Sequence, residues 1–502
     1  MTLMQKPSVL TTAASRVSVH DPGIVLDKTD NTYYIFGSHR AWASSTDLIN
    51  WTYVKNNINT DYATIFKHNG DWASRGSKDY NIIGNCWAPA VFYNKTMQKW
   101  CMYMSINGSN YYSSIALATA DAITGPYKYE GTVIYSGIAT PEEACISDYA
   151  KVTNSAVVDK RYLTSDGKWN SYYGTNCIDP CTFYDKDDRL WMVYGSWFGG
   201  IFLIKLDEAT GLRDYNYIYP TIENASDEYL GIKLSGGHRC TGEGPFIIWD
   251  EATEYYYLYI SYGGLNATND FSGYNIRLFR SKEVTGPYTD IMDHTGICER
   301  PGTSQRDKGI KLFGNYYLSS LATAPDKDSS CDGYMSGGHN SAIITPEGDR
   351  FIIYHTRFNQ GKEWHQVRVH QQFLNEEGWP VTAVYEYLGS SISLTGYDKS
   401  DIIGEYEYIN HGLSYSARLT EMLPTLKVVL NADGTITGDV TGTWEQKTGT
   451  DRYGYHATMT IGNITYKGVF FKQFDESAEH NEVMTFSLIG DDNRSIWGSK
   501  IN

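Results

Sequence analysis

Three acidic residues stand at strand starts marked by proline and glycine: Asp21 in His-Asp-Pro-Gly, Asp179 in Ile-Asp-Pro-Cys, and Glu243 in Gly-Glu-Gly-Pro. Carboxyl groups crowded into a partly enclosed cleft do not all ionise easily, so one stays protonated while another remains a base. That division is what cleavage of a glycosidic bond requires, an acid for the leaving oxygen and a carboxylate for water or the anomeric carbon. Each motif alone is weak. Proline fixes its own φ and favours an extended residue before it, so a single Asp-Pro at a strand start is most simply a turn device. Glu243 between glycines reads first as an ordinary turn residue, and a buried histidine as a satisfied core residue. Their recurrence at equivalent places in a repeat is what gives them weight.

The repeat has five copies: "DPGIVLDKTDNTYYIFGS" from Asp21, "APAVFYNKTMQKWCMYMS" from Ala88, "DPCTFYDKDDRLWMVYGS" from Asp179, "EGPFIIWDEATEYYYLYIS" from Glu243 and "HNSAIITPEGDRFIIYHT" from His339. Each holds two strands around an Asp-, Asn-, Lys- or Gly-rich turn, and "TGPY" echoes at Thr124–Tyr127 and Thr285–Tyr288. Radial repetition of four-stranded sheets is the β-propeller solution to exposed strand edges. The expected fold is therefore all-β: an N-terminal segment (1–15), a five-bladed propeller (16–390), and a small β-barrel or sandwich (391–502), where alternation such as "TLKVVLNADGTITGDV" replaces the repeat. The favoured role of that last domain is to dock onto the propeller. Inner strands of a propeller line its axis, so Asp21, Ala88, Asp179, Glu243 and His339 are expected to converge at one end of the channel. Glu243, with the longer side chain and flanking glycines, is assigned the general acid. Asp21 is the base acting on water, and Asp179 orients the acid and raises its pKa.

The 502 residues exceed what one compact core holds. With 42 Lys and Arg against 58 Asp and Glu, the net charge of −16 opposes binding to nucleic acid or anionic membranes. No run of 18 apolar residues proposes a membrane span. The start "MTLMQKPSVLTTAAS" lacks a continuous apolar core, which argues against an intact signal peptide. Eight cysteines without a CxxC pair read mostly as buried free thiols, with a disulfide as the minority case. The 42 tyrosines and 13 tryptophans suit β-strands and also the stacking of sugar faces. Trp87, Trp197 and Phe198 are the stacking candidates, with Trp42 weaker, against ordinary blade packing. Asn176 and Ser196 flank the third unit's strands and are candidates for bonding substrate hydroxyls.

The string "NCIDPCTFYDKDDRLWMVYGSWFGGI" (Asn176 to Ile201) resembles the third-blade signature of family 43 glycoside hydrolases, in particular its longer two-domain arabinanases. "VHDPGIV", "WAPAVFY", "GEGPFI" and "GHNS" resemble the signatures of the other four blades. The resemblance implies an inverting enzyme with Asp21 as base, Glu243 as acid and Asp179 as the carboxylate that tunes and positions it. It implies a calcium ion in the axial channel, faced by His339 and otherwise held largely by water; one imidazole is an unusual protein ligand for so hard a cation. It implies endo action on 1,5-α-L-arabinan or arabino-oligosaccharides, favoured by "GSWFGGI", and an extracellular or periplasmic location. The competing readings are an exo-acting β-xylosidase or arabinofuranosidase, a retaining mechanism, and a catalytically silent carbohydrate-binding propeller. Many relatives carry glutamate where this chain has Ala90, which bears on a subsite contact. The sequence sets no oligomeric state.

Overall fold

The computed structural model describes residues 14–75, 77–265, 273–323, 333–358, 364–415, 422–423, 425–448 and 455–501. The strands between Gly23 and Thr382 form five antiparallel sheets arranged as propeller blades, and those between Gly404 and Lys500 close an eight-stranded barrel. The inner strands are Gly23–Asp27, Cys86–Asn94, Cys181–Tyr184, Glu243–Asp250 and Tyr334–Ile344. Each pairs with the next strand in sequence and the blade then continues outward. The second strands, such as Lys99–Ile106 and Tyr255–Tyr262, are packed on both faces and are therefore almost continuously apolar or aromatic. Blade three differs from the expected four strands: Ser226–Asp227 adds a fifth at its outer edge, against Gly231–Ser235.

The turns between first and second strands follow from their chemistry. Asp27, Asn94, Asp185 and Asp250 each accept a backbone N–H two residues on through Oδ1, at 2.9 to 3.0 Å. This Asx arrangement is why Asp or Asn recurs there. Cores lie between neighbouring blades rather than within one centre. Blades one and two share Phe36, Met102 and Ala116, and blades three and four share Val193, Leu203 and Leu258. The ring closes where Val17, Ile24 and Ile35 pack on Ile353 and Val369 of the last blade. The preceding segment is tied in as well, Trp51 N donating to Ser15 O and Val367 N to Val17 O.

The barrel interior is filled by Tyr406, Trp444, Phe470, Phe486 and neighbours, so it is a packed core. Its outer face joins the propeller in one continuous cluster, in which Ile409, Phe471 and Trp497 pack with Phe313, Tyr316, Phe373 and Trp379. Among the described residues, Cys86, Cys101, Cys177 and Cys181 are buried free thiols, Cys145 is an exposed one, and Cys240 and Cys298 form a disulfide. Cys331 lies outside the described residues.

Candidate active site

The residue that begins each unit is left-handed, not extended as the Asp-Pro pattern suggests. The φ values are 54° at Asp21, 36° at Ala88, 59° at Asp179 and 46° at His339. Such values are uncommon for residues with a Cβ and mark positions fixed by their surroundings. In the fourth blade the equivalent residue is Gly244, at 57°, so Glu243 precedes the turn and the expected register was off by one. Aligning on the prolines, Pro22, Pro89, Pro180 and Pro245, gives the correct register. Gly244 is required there, since a Cβ would come within 2.9 Å of the His339 ring.

What fixes these turns is the end of the preceding blade's second strand. Ser38 Oγ accepts from Ala88 N at 2.9 Å, Ser105 Oγ from Asp179 N at 2.9 Å, and Ser261 Oγ from His339 N at 2.7 Å. In blade five His355 replaces the serine, with its Nδ1 3.1 Å from Asp21 N. In blade three the serine is diverted: Ser196 Oγ donates to Glu243 Oε2 at 3.1 Å, and Asp179 Oδ2 accepts the Gly244 N–H at 3.4 Å. The serines thus serve both the ring and the acids.

Asp21 is 8% exposed and ringed by imidazoles and a hydroxyl. His20 Nδ1 lies 2.7 Å from Oδ2, His339 Nδ1 lies 3.1 Å and His355 Nδ1 3.6 Å from Oδ1, and Ser38 Oγ donates to Oδ2. Arg357 caps the far nitrogens, its guanidinium 2.9 Å from His355 Nε2 and 3.0 Å from His20 Nε2. An always-protonated arginine makes His20 Nε2 an acceptor and leaves its Nδ1–H for Asp21 Oδ2, whereas His355 Nδ1 accepts the Asp21 backbone N–H at 3.1 Å. Burial alone would raise the Asp21 pKa, but His20, His339 and His355 together hold it well below the usual carboxylate range. Burial keeps His355 neutral over the ordinary pH range.

Asp179 behaves in the opposite way. Burial first, then the charges of Glu243 and Asp21, push its pKa well above the usual carboxylate value. Glu243 is half-buried and held at one oxygen, Oε2, by Trp197 Nε1 at 2.7 Å and Ser196 Oγ at 3.1 Å. Tyr274, fully buried and stacked on His355 at 6.2 Å, carries a hydroxyl whose pKa is raised by burial and by the Glu243 and Asp21 charges.

The structure separates the other expected residues. Trp197 and Ser196 contact the acid directly, and Phe198 sits edge-on to Tyr111 at 4.6 Å. Trp87, half-buried beside Ala88, donates to Gly84 O at 2.6 Å. Asn176 is buried, its Nδ2 donating to Asn107 Oδ1 at 3.3 Å and its Oδ1 unpartnered. Trp42 is core: 1% exposed, it packs on Phe36 and donates to Asn59. Ala90 lines the axial channel. The residues not foreseen are Ser38, His20, His355, Arg357 and Tyr274; "YHT" where other units end in serine was the available signal for His355.

Below the carboxylates the inner strands enclose an axial channel of about 370 Å³, reached by Asp21, Asp179 and His339. Buried Asn340 Oδ1 and Nδ2 and Thr182 Oγ1 on its wall have no protein partner, as in a water-filled passage. His20, Asp21 and His355 form the one cluster of three metal-type donors among the described residues, but Arg357 already occupies both imidazole Nε2 atoms.

Residues 152–380 match the model of the glycosyl hydrolases family 43, and residues 384–498 match a C-terminal lipocalin-like domain. An extracellular endo-α-(1→5)-L-arabinanase of Bacillus subtilis is 37% identical over 494 residues, 96% of this chain and 93% of that one. The crystal structure of the endo-1,5-α-L-arabinanase of Thermotoga petrophila superposes with a TM-score of 0.80 at 35% identity, covering 98% of this chain and 100% of that one. An extracellular exo-α-(1→5)-L-arabinofuranosidase of Cellvibrio japonicus is 26% identical over 74% of this chain and 88% of its own length. Likeness of this degree, carried along nearly the whole of the propeller and barrel, means that the chain belongs to glycosyl hydrolase family 43 and is a glycoside hydrolase.

Proposed function

We propose that this enzyme cuts internal 1,5-α-L-arabinofuranosidic linkages of arabinan with inversion at the anomeric carbon. The observation that carries the reading is the opposed surroundings of two carboxyls on one ring: Asp21, in contact with His20 and His339 and held well below the usual carboxylate range, and Asp179, buried near Glu243 and pushed well above it. Asp21 takes a proton from water as the water oxygen bonds the anomeric carbon. Glu243, steadied by Trp197 and Ser196, gives a proton to the departing O5 as the glycosidic bond breaks. Asp179, through its contact with Gly244 N, fixes the turn that aims Glu243. In an inverting enzyme the two reacting carboxyls stand roughly 6.5 to 9.5 Å apart to admit that water.

The endo assignment is supported by the names of the full-length relatives, whereas the exo-acting one is less similar and spans less of the chain. The same names support secretion. No helix among the described residues is long and apolar enough to cross a membrane.

A calcium ion fits the channel as a hydrated ion. His339 Nδ1 faces Asp21, leaving Nε2 as its one protein nitrogen for an ion, and the channel has room for water to supply the oxygens that calcium prefers. Bound there, the ion would add positive charge beneath the carboxylates. Chelation is expected to lower the melting temperature, and added calcium to restore it.

The deciding assay is hydrolysis of linear 1,5-α-arabinan by the wild type, Asp21→Ala and Glu243→Ala, with products sized by chromatography and the first-formed anomer read by NMR. Short oligomers of inverted configuration, and a loss of roughly a thousandfold in each variant, about 4 kcal/mol of transition-state stabilisation, are expected. Arabinose alone would make it exo-acting, retained configuration would reassign Asp21 as a nucleophile, and inertness on arabinan with activity on xylan would overturn the substrate.

A further inference from the structure

A second cavity, of about 310 Å³, opens on blade three away from the axial channel, walled by Tyr172, Tyr173, Phe202, Asn224, Lys233 and His238. Its defining group is the Lys233 ammonium, which makes no hydrogen bond or ion pair among the described residues. The chain's other enclosed lysines are satisfied: Lys311 donates to His411 O and Ser414 O, Lys308 to Ile297 O, and Lys205 pairs with Asp214. Lys233 instead lies 5.5 Å from the Phe202 ring, and Gly237 leaves it space, since a Cβ there would be 2.9 Å from Nζ. Burial lowers its pKa to about 8, offset only in part by Asp227.

The neighbouring charges are engaged elsewhere. Asp227 accepts from Tyr173 OH at 2.7 Å, from the Tyr162 hydroxyl, and from Tyr229 N and Leu230 N at 2.9 and 2.7 Å, with Arg161 Nε 3.2 Å away. Arg161 also pairs with Asp159 and Glu228. His238 bonds the Glu299 backbone, and burial and Lys233 lower its pKa. Glu223 stands exposed at the mouth. Inside, Lys233 is thus a cation awaiting an acceptor between aromatic walls.

The pocket adjoins the catalytic face. Arg239, held by Ser171 Oγ at 3.0 Å, lies over Tyr172 at 4.7 Å and Phe198 at 5.9 Å. Phe198 follows Trp197, the indole that holds the acid. Tyr172 is 49% exposed and offers a ring face at the entrance.

We propose that this pocket is a binding site for an acidic sugar unit, a uronate whose ring packs on the tyrosines and whose carboxylate pairs with Lys233. The volume suits one hexose ring and its carboxylate, and the aromatic walls suit a sugar face better than a bare anion. Arabinan units are neutral, so the site would read an acid-bearing portion of the polysaccharide flanking the segment that is cut. It stands apart from the cleft, and its occupancy does not depend on which linkage the cleft cleaves.

The test is binding, not hydrolysis. Lysines of the whole protein are labelled by reductive ¹³C-methylation, and the Lys233 resonance is identified by its loss in Lys233→Arg. Its titration midpoint is followed with D-galacturonate, D-galactose or acetate present. Saturating galacturonate is expected to raise the midpoint by about one unit, the shift that accompanies roughly tenfold tighter binding to the charged lysine. Galactose should leave it unmoved, and acetate should act only at far higher concentration. Calorimetry on unlabelled protein should show galacturonate binding lost in Lys233→Met and in Gly237→Ala, both folded by circular dichroism and unchanged in hydrolysis of neutral arabinan. No shift with galacturonate, an equal shift with galactose or acetate, or loss of arabinan hydrolysis in Lys233→Met would each overturn the proposal.

Discussion

Trp197→Phe isolates what the indole N–H does for the acid, because the replacement keeps an aromatic face and removes only the donor. Two donors meet at Glu243 Oε2: Trp197 Nε1 at 2.7 Å and Ser196 Oγ at 3.1 Å. Hydrogen bonds to charged groups contribute about 1.5–3 kcal/mol. The shorter bond belongs near about 2.5 kcal/mol and the longer near about 1.5 kcal/mol, or roughly 70-fold and 13-fold in rate. Trp197→Phe should therefore lower kcat on arabinan by roughly 70-fold and Ser196→Ala by roughly 13-fold, with KM little changed. Because both bonds restrain one oxygen, the second loss should cost less than the first, so the double variant's deficit should fall well short of the roughly 900-fold of simple additivity. The assay compares arabinan with a nitrophenyl arabino-oligosaccharide, whose phenolate leaves without a proton. On that substrate the deficit should shrink to a few-fold. An equal deficit on both substrates, or an effect in KM alone, would refute the role as a positioner of the acid and leave Trp197 as a stacking surface.

Asp179→Asn should retain activity within about tenfold, because a neutral amide copies a carboxyl already held protonated, whereas Asp179→Ala should lose far more. The stability effects of Asp179 and Asp21 have opposite signs. A raised pKa gives stability that is present below the ordinary value of 3.8 and lost as pH rises toward the folded value, so the melting temperature of Asp179→Asn should gain on the wild type from acid to neutral pH. Asp21 has a lowered pKa and contributes above 3.8, so Asp21→Asn should melt lower at neutral pH, with the gap closing as pH falls through the depressed value. Gly244→Ala places a Cβ in a left-handed turn, about 1–2 kcal/mol of strain, and against the His339 ring; kcat should fall further than thermal stability predicts. A chain ending at residue 390 would leave Phe313, Tyr316 and Trp379 without Phe471 and Trp497, and should accumulate as insoluble protein, read by fractionation after expression.

The repeat was legible because a hairpin with an Asx turn leaves the same local mark each time, from "DPGIVLDKTD" to "EGPFIIWDEATE". Asp21, Asp179 and His339 could be placed on one ring from that mark alone. Glu243 was set one residue out because an acidic residue drew the alignment more strongly than the proline that defines the turn. The imidazoles around Asp21 were hidden for another reason: His355 and Arg357 lie 334 and 336 positions away, in the second strand of the last blade. No local pattern ties them to Asp21; only closure of the ring does. The Asp179 proton was equally invisible, since burial sets it and burial is a property of the assembled blades.

The serines and histidine that hold each turn from the blade before it imply an order in time. A ribosome completes Asp21 early, yet its partners His339, His355 and Arg357 are made last among the blades. Ser341, also in the last blade, grips Pro22 O at 2.6 Å and Ile24 N at 3.0 Å. A partial propeller therefore holds carboxylates without a base environment, and hydrolytic competence arrives in one step, when the final sheet docks against the first.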